Sequence, residues 1–258
     1  GMNWFDAVTI SFGTAGTGGF SILNSGFVTY SSYVKIVVAV FMMLFGVNFN
    51  VYFLMLNRKF VQALRCEELR YYLMIIGIST LIITLNILSI CGSFGKALEE
   101  AFFQVSSIIT TTGFASADFN LWPQTSKTIL VLLMFIGACA ESTGGGIKVS
   151  RLVILKKIKM EGKPVEHEVL RSTNVFMITY VILFAFSVLL ISFNGFDLTT
   201  NFTAVAATLN NIGPGLELVG PTGNFGFFSS FSKYVLMFDM LAGRLELFPM
   251  LLFFSPST

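Results

Sequence analysis

Five stretches of this 258-residue chain are each long and apolar enough to cross a lipid bilayer as a helix, which takes about 20 residues. They cover residues 33–56, 71–91, 126–158, 174–193 and 231–254. Soluble domains carry about 25% charged residues, whereas this chain carries 12%, with 54% hydrophobic residues. Because the bilayer core offers no water to backbone groups, such spans must be helical. The sequence therefore predicts an all-α integral membrane protein with about five transmembrane helices.

Three shorter segments of a different kind lie between these spans, at residues 4–17, 97–112 and 198–211. Each is half polar, too short to cross the bilayer, and ends in small or hydroxyl residues followed by a glycine. This pattern is typical of a helix that enters the membrane and returns as a loop. We therefore expect three re-entrant pore helices.

The third span is interrupted by Glu141-Ser142-Thr143-Gly144-Gly145-Gly146. Each glycine disfavours a helix by about 1 kcal/mol relative to alanine. Irregular backbone at membrane depth is tolerated only where protein or a water-filled cavity covers it. The sequence thus predicts a broken helix that faces the interior of the protein.

Basic residues fall mainly on one set of connections, which the positive-inside rule assigns to the cytoplasm. This set comprises Arg58, Lys59, Arg65, Arg70, Arg151, Lys156, Lys157, Lys159, Lys163 and Arg171. All three re-entrant segments then enter from the outer side. That side also carries acidic residues, including Glu99 and Glu100. An acidic mouth would concentrate cations, although ordinary solvated loop charges explain these residues equally well.

The three re-entrant segments align without gaps, which indicates an internal repeat. Asp6 lies 13 residues before Gly19, Glu100 lies 13 residues before Gly113, and Asn201 lies 12 residues before Gly213. The chain divides accordingly into a pore loop and helix (1–58), a helix–pore loop–helix unit with a broken second helix (69–160), and another such unit (172–254). Repeated units around one axis are a common way to build a transport path.

The loops after these segments suit a dehydrated monovalent cation. Backbone carbonyls can replace the water around such an ion without a fixed charge, and glycine permits the backbone angles that turn carbonyls inward. The partly negative C-terminus of each pore helix also favours a cation. The predicted ion-binding carbonyls belong to Thr17, Gly18, Gly19, Thr111, Thr112, Gly113, Asn211, Ile212 and Gly213.

Other site chemistries find little support. Cys66, Cys91 and Cys139 are far apart and form no CxxC motif, and His167 is the only histidine, so neither a disulfide framework nor a metal site is expected. No Ser/His/Asp set, zinc spacing or phosphate-binding GxxxxGK[ST] motif is present. We predict that the chain is not an enzyme, binds no covalent cofactor and has no nucleic-acid partner.

Four segments of the chain resemble the pore-forming membrane subunit of the Trk/Ktr-type potassium uptake transporters. They are Ser107–Ala115, Ala138–Lys148, Ala204–Gly215 and Gly243–Pro249, and their order and spacing also match. The resemblance implies four units around one pore, with Gly19, Gly113 and Gly213 in the second, third and fourth filter strands. It also implies a gate formed by Gly144, Gly145, Gly146, Lys148 and Arg244. Potassium would be the transported ion.

The same resemblance implies a setting for the protein. It would be a multi-pass protein of the bacterial inner membrane, working as a homodimer on a cytoplasmic nucleotide-binding regulatory ring. The basic stretch from Lys156 to Lys163 is a candidate dock for that ring or for anionic membrane lipid, or reflects topology alone.

Arg244 lies deep in an apolar span, where a charge costs at least about 2.5–3.5 kcal/mol and so indicates function. A positive charge beneath the filter would oppose cation passage until displaced. The alternative is a purely structural arginine, paired with Glu246 or Glu141. Glu141 and Asp239 depart from the family pattern, and either could pair with Arg244 or Lys148 or alter gating.

Relative to the family pattern, the first repeat and the outer helix of the second are missing. Three strands cannot close a four-sided filter, so we expect either a fragment of a longer protein or completion by another chain. A sodium-coupled or less selective cation transporter remains an alternative, because the loop Asn210-Asn211-Ile212-Gly213-Pro214 is poor in threonine. A non-conducting membrane scaffold or fragment is the other alternative.

Overall fold

The structure is a computed structural model that describes residues 2–23, 25–156, 159–160, 163–164 and 167–245. Its helices are α1 (Trp4–Ala15), α2 (Ser32–Phe45), α3 (Phe49–Leu56), α4 (Phe60–Arg65), α5 (Glu67–Cys91), α6 (Phe94–Ile109), α7 (Gln124–Ile136), α8 (Val149–Lys156), α9 (His167–Ser192), α10 (Leu198–Leu209) and α11 (Ser230–Arg244). Single 3-10 turns occur at Phe119–Leu121 and Glu217–Val219. Two-residue strands, β1 (Lys159–Met160) and β2 (Lys163–Pro164), pair antiparallel.

Within the part of the chain that the structure describes, two of the five predicted spans are uninterrupted helices of sufficient length. Helix α5 contains 25 residues and α9 contains 26, and both are apolar enough to cross a membrane. They correspond to the predicted spans 71–91 and 174–193. The predicted span 231–254 is helical in α11, and its residues 246–254 lie outside the described residues.

The prediction of one continuous helix over 33–56 is wrong. Helices α2 and α3 meet at an angle of 90° across a short break. Gly46 ends α2 where it touches Tyr72 and Thr110 so closely that an added Cβ would clash with the tyrosine hydroxyl. Asn48 then caps α3, because its side-chain oxygen accepts the N–H of Asn50 at 2.8 Å. The bend therefore results from a close contact with α5 and a new helix start.

The third predicted span, 126–158, is broken where the sequence predicts. Helix α7 ends at Ile136 and α8 begins at Val149. The intervening residues 137–148, which contain the three consecutive glycines, are non-helical. We call residues 137–148 the central loop.

Helices α1, α6 and α10 are the three short helices predicted between the spans. Asn3, Ser93 and Asp197 cap them, each accepting a backbone N–H from the first turn. Helices α6 and α10 are mostly buried, with α5 and α2 packed against α6 and with α9 and α11 packed against α10. The exposed faces of α5 and α9 are apolar, as expected for helices that face lipid.

Candidate functional site

The loops that follow α1, α6 and α10, which begin at residues 16, 110 and 210, share one backbone conformation. We call them the first, middle and last short-helix loops. In each loop an N–H donates to the carbonyl five residues earlier: Gly18 to Gly13 at 2.8 Å, Thr112 to Ser107 at 2.9 Å and Ile212 to Ala207 at 2.8 Å. In each loop the φ angle is also positive at two positions two residues apart. These angles are 49° at Thr17 and 68° at Gly19, 55° at Thr111 and 86° at Gly113, and 56° at Asn211 and 105° at Gly213.

The sequence predicted only one of the two positive φ angles in each loop. Glycine is the residue expected at positive φ, and Gly19, Gly113 and Gly213 fulfil that expectation. Thr17, Thr111 and Asn211 adopt positive φ as well. Positive φ is uncommon for residues other than glycine and rarest for β-branched residues such as threonine. The surrounding contacts therefore impose the backbone at these three positions.

The three loops contact each other in sequence order. A Cβ atom added to Gly19 would clash with the carbonyl oxygen of Thr112, and one added to Gly113 would clash with the carbonyl oxygen of Ile212. Glycine is thus required where one loop presses on the next. Among the described residues, no atom lies within 4 Å of the Cβ position of Gly213, the equivalent residue of the last loop.

The outer part of the middle loop is held by α6 and by the segment after α1. The Ser107 hydroxyl donates to the Phe114 carbonyl at 2.6 Å, and the Phe27 N–H donates to the Ala115 carbonyl at 2.8 Å. Ser116 donates to Glu100, which forms an ion pair of 2.9 Å with Lys35. Glu100 is 6% exposed, so it contributes to packing here rather than to the expected acidic mouth.

The tip of the central loop, residues 143–145, packs directly against the short-helix loops. The Gly145 N–H donates to the Thr111 hydroxyl at 2.6 Å. Cβ atoms added to Gly144 and Gly145 would lie 3.0 Å from the Thr110 carbonyl oxygen and 2.8 Å from the Asn210 carbonyl oxygen. The consecutive glycines are therefore explained by close packing of backbone on backbone.

Arg244 joins the central loop to the first short-helix loop. Its guanidinium donates to the Thr143 carbonyl at 3.1 Å, to the Gly16 carbonyl at 3.2 Å and to the Thr17 hydroxyl at 3.4 Å. The Thr17 hydroxyl also donates to the Thr143 carbonyl at 2.9 Å. Within the described residues Arg244 has no carboxylate partner, and Glu246 lies outside them.

The two unexpected carboxylates have other partners. Glu141 accepts a hydrogen bond from Asn50 on α3. Asp239 is fully buried and accepts from the Ser187 hydroxyl at 2.7 Å, joining α11 to α9. Neither therefore forms the pairing with Arg244 that the sequence left open.

Lys148 and Arg244 line a cavity of about 300 Å³ beside the central loop, together with Arg151, Phe176 and Tyr180. Lys148 donates to the Gly144 carbonyl within the loop itself. The Tyr180 hydroxyl donates to the side chain of Asn210 at 2.9 Å, which fixes the end of α10. All five predicted gate residues thus lie along one cavity.

Sequence reasoning missed Glu68, a buried residue in the first turn of α5. Its carboxylate accepts from the N–H groups of Ala140 and Ser150 and from the side chain of Asn48. One available signal was an acidic residue beside the predicted cytoplasmic end of the span 71–91, but the partners of Glu68 are distant in sequence.

A comparison with known families identifies the architecture. The family described as TrkH, cation transport protein, matches residues 1–258, the whole chain. This chain belongs to the TrkH family. The predicted resemblance and the predicted all-α membrane fold are therefore confirmed.

Individual TrkH relatives agree with this assignment. The chain is 34% identical to the Trk system potassium uptake protein TrkH of Salmonella typhimurium, over 100% of this chain and 57% of the relative. It is 32% identical to the Trk system potassium uptake protein TrkG of Escherichia coli K12, over 99% of this chain and 56% of the relative. The chain thus spans just over half the length of these curated relatives.

A solved TrkH structure has the same fold. The crystal structure of the potassium transporter TrkH from Vibrio parahaemolyticus superposes with a TM-score of 0.90 at 32% identity, covering 99% of this chain and 59% of that one. The relatives named here are transport proteins, which agrees with the prediction that the chain is not an enzyme. Family membership and the long apolar helices also agree with a multi-pass membrane location.

Proposed function

We propose that this chain forms part of a potassium pathway across the bacterial inner membrane. The observation that carries the proposal is the matched backbone of the three short-helix loops, which lie against a glycine-rich central loop. Gly19 and Gly113 each press against a carbonyl of the next loop. A backbone in which φ is positive at every second residue turns successive carbonyls toward one side. Carbonyl oxygens on that side can replace the water around potassium. The potassium uptake named for the relatives supports the same function.

In this proposal the filter carbonyls belong to three consecutive strands, one from each of the units 1–58, 69–160 and 172–254. Thr17, Thr111 and Asn211 begin these strands, and Gly19, Gly113 and Gly213 end them. A fourth strand, from a longer form of the protein or from another chain, would press against Gly213, whose Cβ position is open. Potassium is the cargo of this pathway, not a resident cofactor.

The proposed gate consists of Gly144, Gly145, Gly146, Lys148 and Arg244. Its tip lies against the Thr110 and Asn210 carbonyls, at the ends of α6 and α10. Arg244 both holds this tip through Thr143 and places a positive charge beside the first strand. Such a charge opposes a cation until the tip and the arginine move apart.

A less selective or sodium-coupled transporter is the second candidate. The observation that favours it is the third strand, where Asn211 replaces threonine and donates its side-chain amide to the Met240 carbonyl at 3.1 Å. That bond holds the Asn211 side chain against α11, so this strand carries an amide where the other two carry a threonine hydroxyl. A non-conducting scaffold is the outcome if no ion moves at all.

The proposed partners are a cytoplasmic nucleotide-binding regulatory ring, a second copy of the chain and membrane lipid. The relatives are named as proteins of a Trk system, which supports further subunits. The basic stretch proposed as the dock runs from Lys156 to Lys163, and its side chains lie outside the described residues.

The test is rubidium uptake by a bacterium that lacks its own potassium transporters. It would express the 258-residue chain or a form extended through its upstream coding frame. Uptake that excess potassium suppresses and excess sodium does not would support the potassium pathway. Equal suppression by both ions would favour the second candidate, and no uptake by either form would refute transport.

Replacing Arg244 tests the gate. Arg244→Ala removes the charge and the bond to Thr143, so we expect basal rubidium uptake to rise about tenfold, the effect of losing one charge-assisted hydrogen bond. Arg244→Lys is the matched control, because it keeps the charge, and should raise uptake less. Unchanged uptake in Arg244→Ala, at equal amounts of folded protein, would contradict the gate.

A further inference from the structure

Glu68 ties together the two ends of the central loop. This residue is 3% exposed, and its Oε1 atom accepts the Ala140 N–H at 2.7 Å and the Ser150 N–H at 3.0 Å. Ala140 lies near the start of the loop, and Ser150 lies just beyond its end, in the first turn of α8. One carboxylate oxygen therefore fixes both ends, four residues beyond the end of α7 and at the beginning of α8.

The break in the helix explains why a carboxylate is favourable here. A break in a helix leaves backbone N–H groups without acceptors in the helix. The N–H groups in the first turn of α8 are of this kind, because no preceding helical turn supplies carbonyl oxygens to them. A buried N–H without a partner costs about 1–3 kcal/mol. A negative group is also stabilised by the positive end of the helix dipole. The Val149 N–H donates to the Ala138 carbonyl at 3.0 Å, which closes the two ends on each other.

The remaining oxygen of Glu68 faces the bend between α2 and α3. The Asn48 amide nitrogen donates to Oε2 at 3.3 Å. The Asn48 oxygen is already occupied, because it accepts the Asn50 N–H as the cap of α3. The orientation of the Asn48 amide is thus fixed, with its NH₂ group toward Glu68.

The same bend holds the loop through its backbone. The Cys139 N–H donates to the Gly46 carbonyl at 3.0 Å, and the Phe49 N–H donates to the Glu141 carbonyl at 3.2 Å. Helix α5, the bend and the broken helix therefore meet at Glu68. The tip of the loop makes a separate set of contacts, with Thr17, Thr111 and Arg244.

We infer that Glu68 is a positioning residue for the gate: it fixes the ends of the central loop so that the tip rests beneath the short-helix loops. The inference rests on the proposed function. Opening of the gate would break the contacts of the tip. The Glu68 contacts lie at the two ends of the central loop, about which the tip would move. Weakening the Glu68 contacts lets the ends shift, so the tip occupies the path less often and basal ion flux rises.

Two substitutions and their combination test this role. Glu68→Gln keeps one acceptor oxygen for the two N–H groups but turns an NH₂ group toward the NH₂ group of Asn48. Asn48→Asp keeps the cap on α3 but sets a carboxylate against Glu68. The double variant restores one donor and one acceptor at this contact. Glu168→Gln is the matched control, because Glu168 is an exposed acidic residue in the first turn of α9.

Basal rubidium uptake is the first measurement, in the form of the protein that supports uptake. We expect each single variant to raise it about tenfold, the double variant to return within about twofold of wild type, and Glu168→Gln to match wild type. Hydrogen exchange of the peptide that covers residues 137–150 is the second measurement. Exchange there should quicken in the single variants and slow again in the double variant, without any need for ion flux.

The outcomes separate this inference from the proposed function. No uptake by the wild type refutes transport, and the exchange pattern then decides by itself whether Glu68 holds the loop. Wild-type uptake that Glu68→Gln leaves unchanged, while exchange quickens, overturns the gating role of Glu68 alone. A double variant that is as stable to thermal unfolding as wild type and yet restores neither uptake nor exchange overturns the role of the contact between Glu68 and Asn48.

Discussion

Lys35 and Glu100 carry opposite charges in a buried place beside the middle short-helix loop. They are 8% and 6% exposed, and the Lys35 Nζ atom lies 2.9 Å from Glu100 and 3.8 Å from Glu99. Burying an ion pair seldom stabilises a protein more than apolar side chains of the same size would. Its contribution here is geometric, because Glu100 also accepts from Ser116 in the loop itself.

Removing one partner of this pair should be costly. Lys35→Met leaves a buried carboxylate with only neutral donors, so we expect the free energy of unfolding to fall by about 3–5 kcal/mol. Adding Glu100→Gln removes the uncompensated charge and should recover part of that loss. Thermal unfolding in detergent measures both. A Lys35→Met protein as stable as wild type would show that the pair is solvated.

At the scale of elements, the short helices depend on their caps more than the long helices do. Helices α1 and α10 have 12 residues each, a length at which a helix in isolation is marginal. Asp197 caps α10 by accepting from the Thr200 hydroxyl at 2.6 Å and from the Thr200 N–H at 2.9 Å. These bonds, from the hydroxyl above all, lower the pKa of Asp197 from its ordinary value of 3.8.

The lowered pKa makes this cap dependent on pH. Because the folded state favours the charged form, the contribution of Asp197 is present above pH 3.8 and is lost as the pH falls through the lower folded pKa. Asp197→Ala should therefore lower the free energy of unfolding by about 1 kcal/mol near neutral pH and by less in acid.

The measurement is thermal unfolding of the wild type and of Asp197→Ala across that pH range. Asp197→Asn is the matched control, because asparagine caps a helix without titrating. Its advantage over alanine should stay constant with pH. A wild-type advantage that also stays constant would show that the carboxylate does not act as the cap.

At the scale of the whole molecule, the three short-helix loops follow one another across the described residues and leave a gap beside the last of them, at Gly213. Gly19 presses on the middle loop and Gly113 presses on the last, whereas no atom of the described part of the chain lies within 4 Å of the Gly213 Cβ position. A ring of four would give all of these glycines the same surroundings. The 258-residue chain therefore allows two equivalent glycines to be compared, Gly113 with a neighbouring loop beside it and Gly213 without one.

Alanine at Gly113 and at Gly213 should have unequal effects in this chain. Both residues have positive φ, 86° and 105°, so both variants incur backbone strain of about 1–2 kcal/mol. Gly113→Ala also drives a methyl group into the Ile212 carbonyl, which adds about 1–3 kcal/mol. Thermal unfolding of the 258-residue chain should show the larger loss for Gly113→Ala.

In a longer form that supplies a fourth strand, the two variants should become equally harmful to stability and to rubidium uptake. Equal losses already in the 258-residue chain would contradict the open position at Gly213. A persistent difference in the longer form would contradict a fourth strand beside it.

The membrane class, the short helices, the break at the three glycines and the family could all be predicted from the order of residues along the chain. These features depend on local hydropathy, glycine content and the spacing of motifs along the chain. Other features could be seen only in the folded chain. They are the 90° bend at Gly46, the positive φ of Thr17, Thr111 and Asn211, and the partners of Glu68, Glu100 and Arg244. Each of these depends on contacts between residues far apart in the chain, and a single sequence records no sign of which distant groups meet.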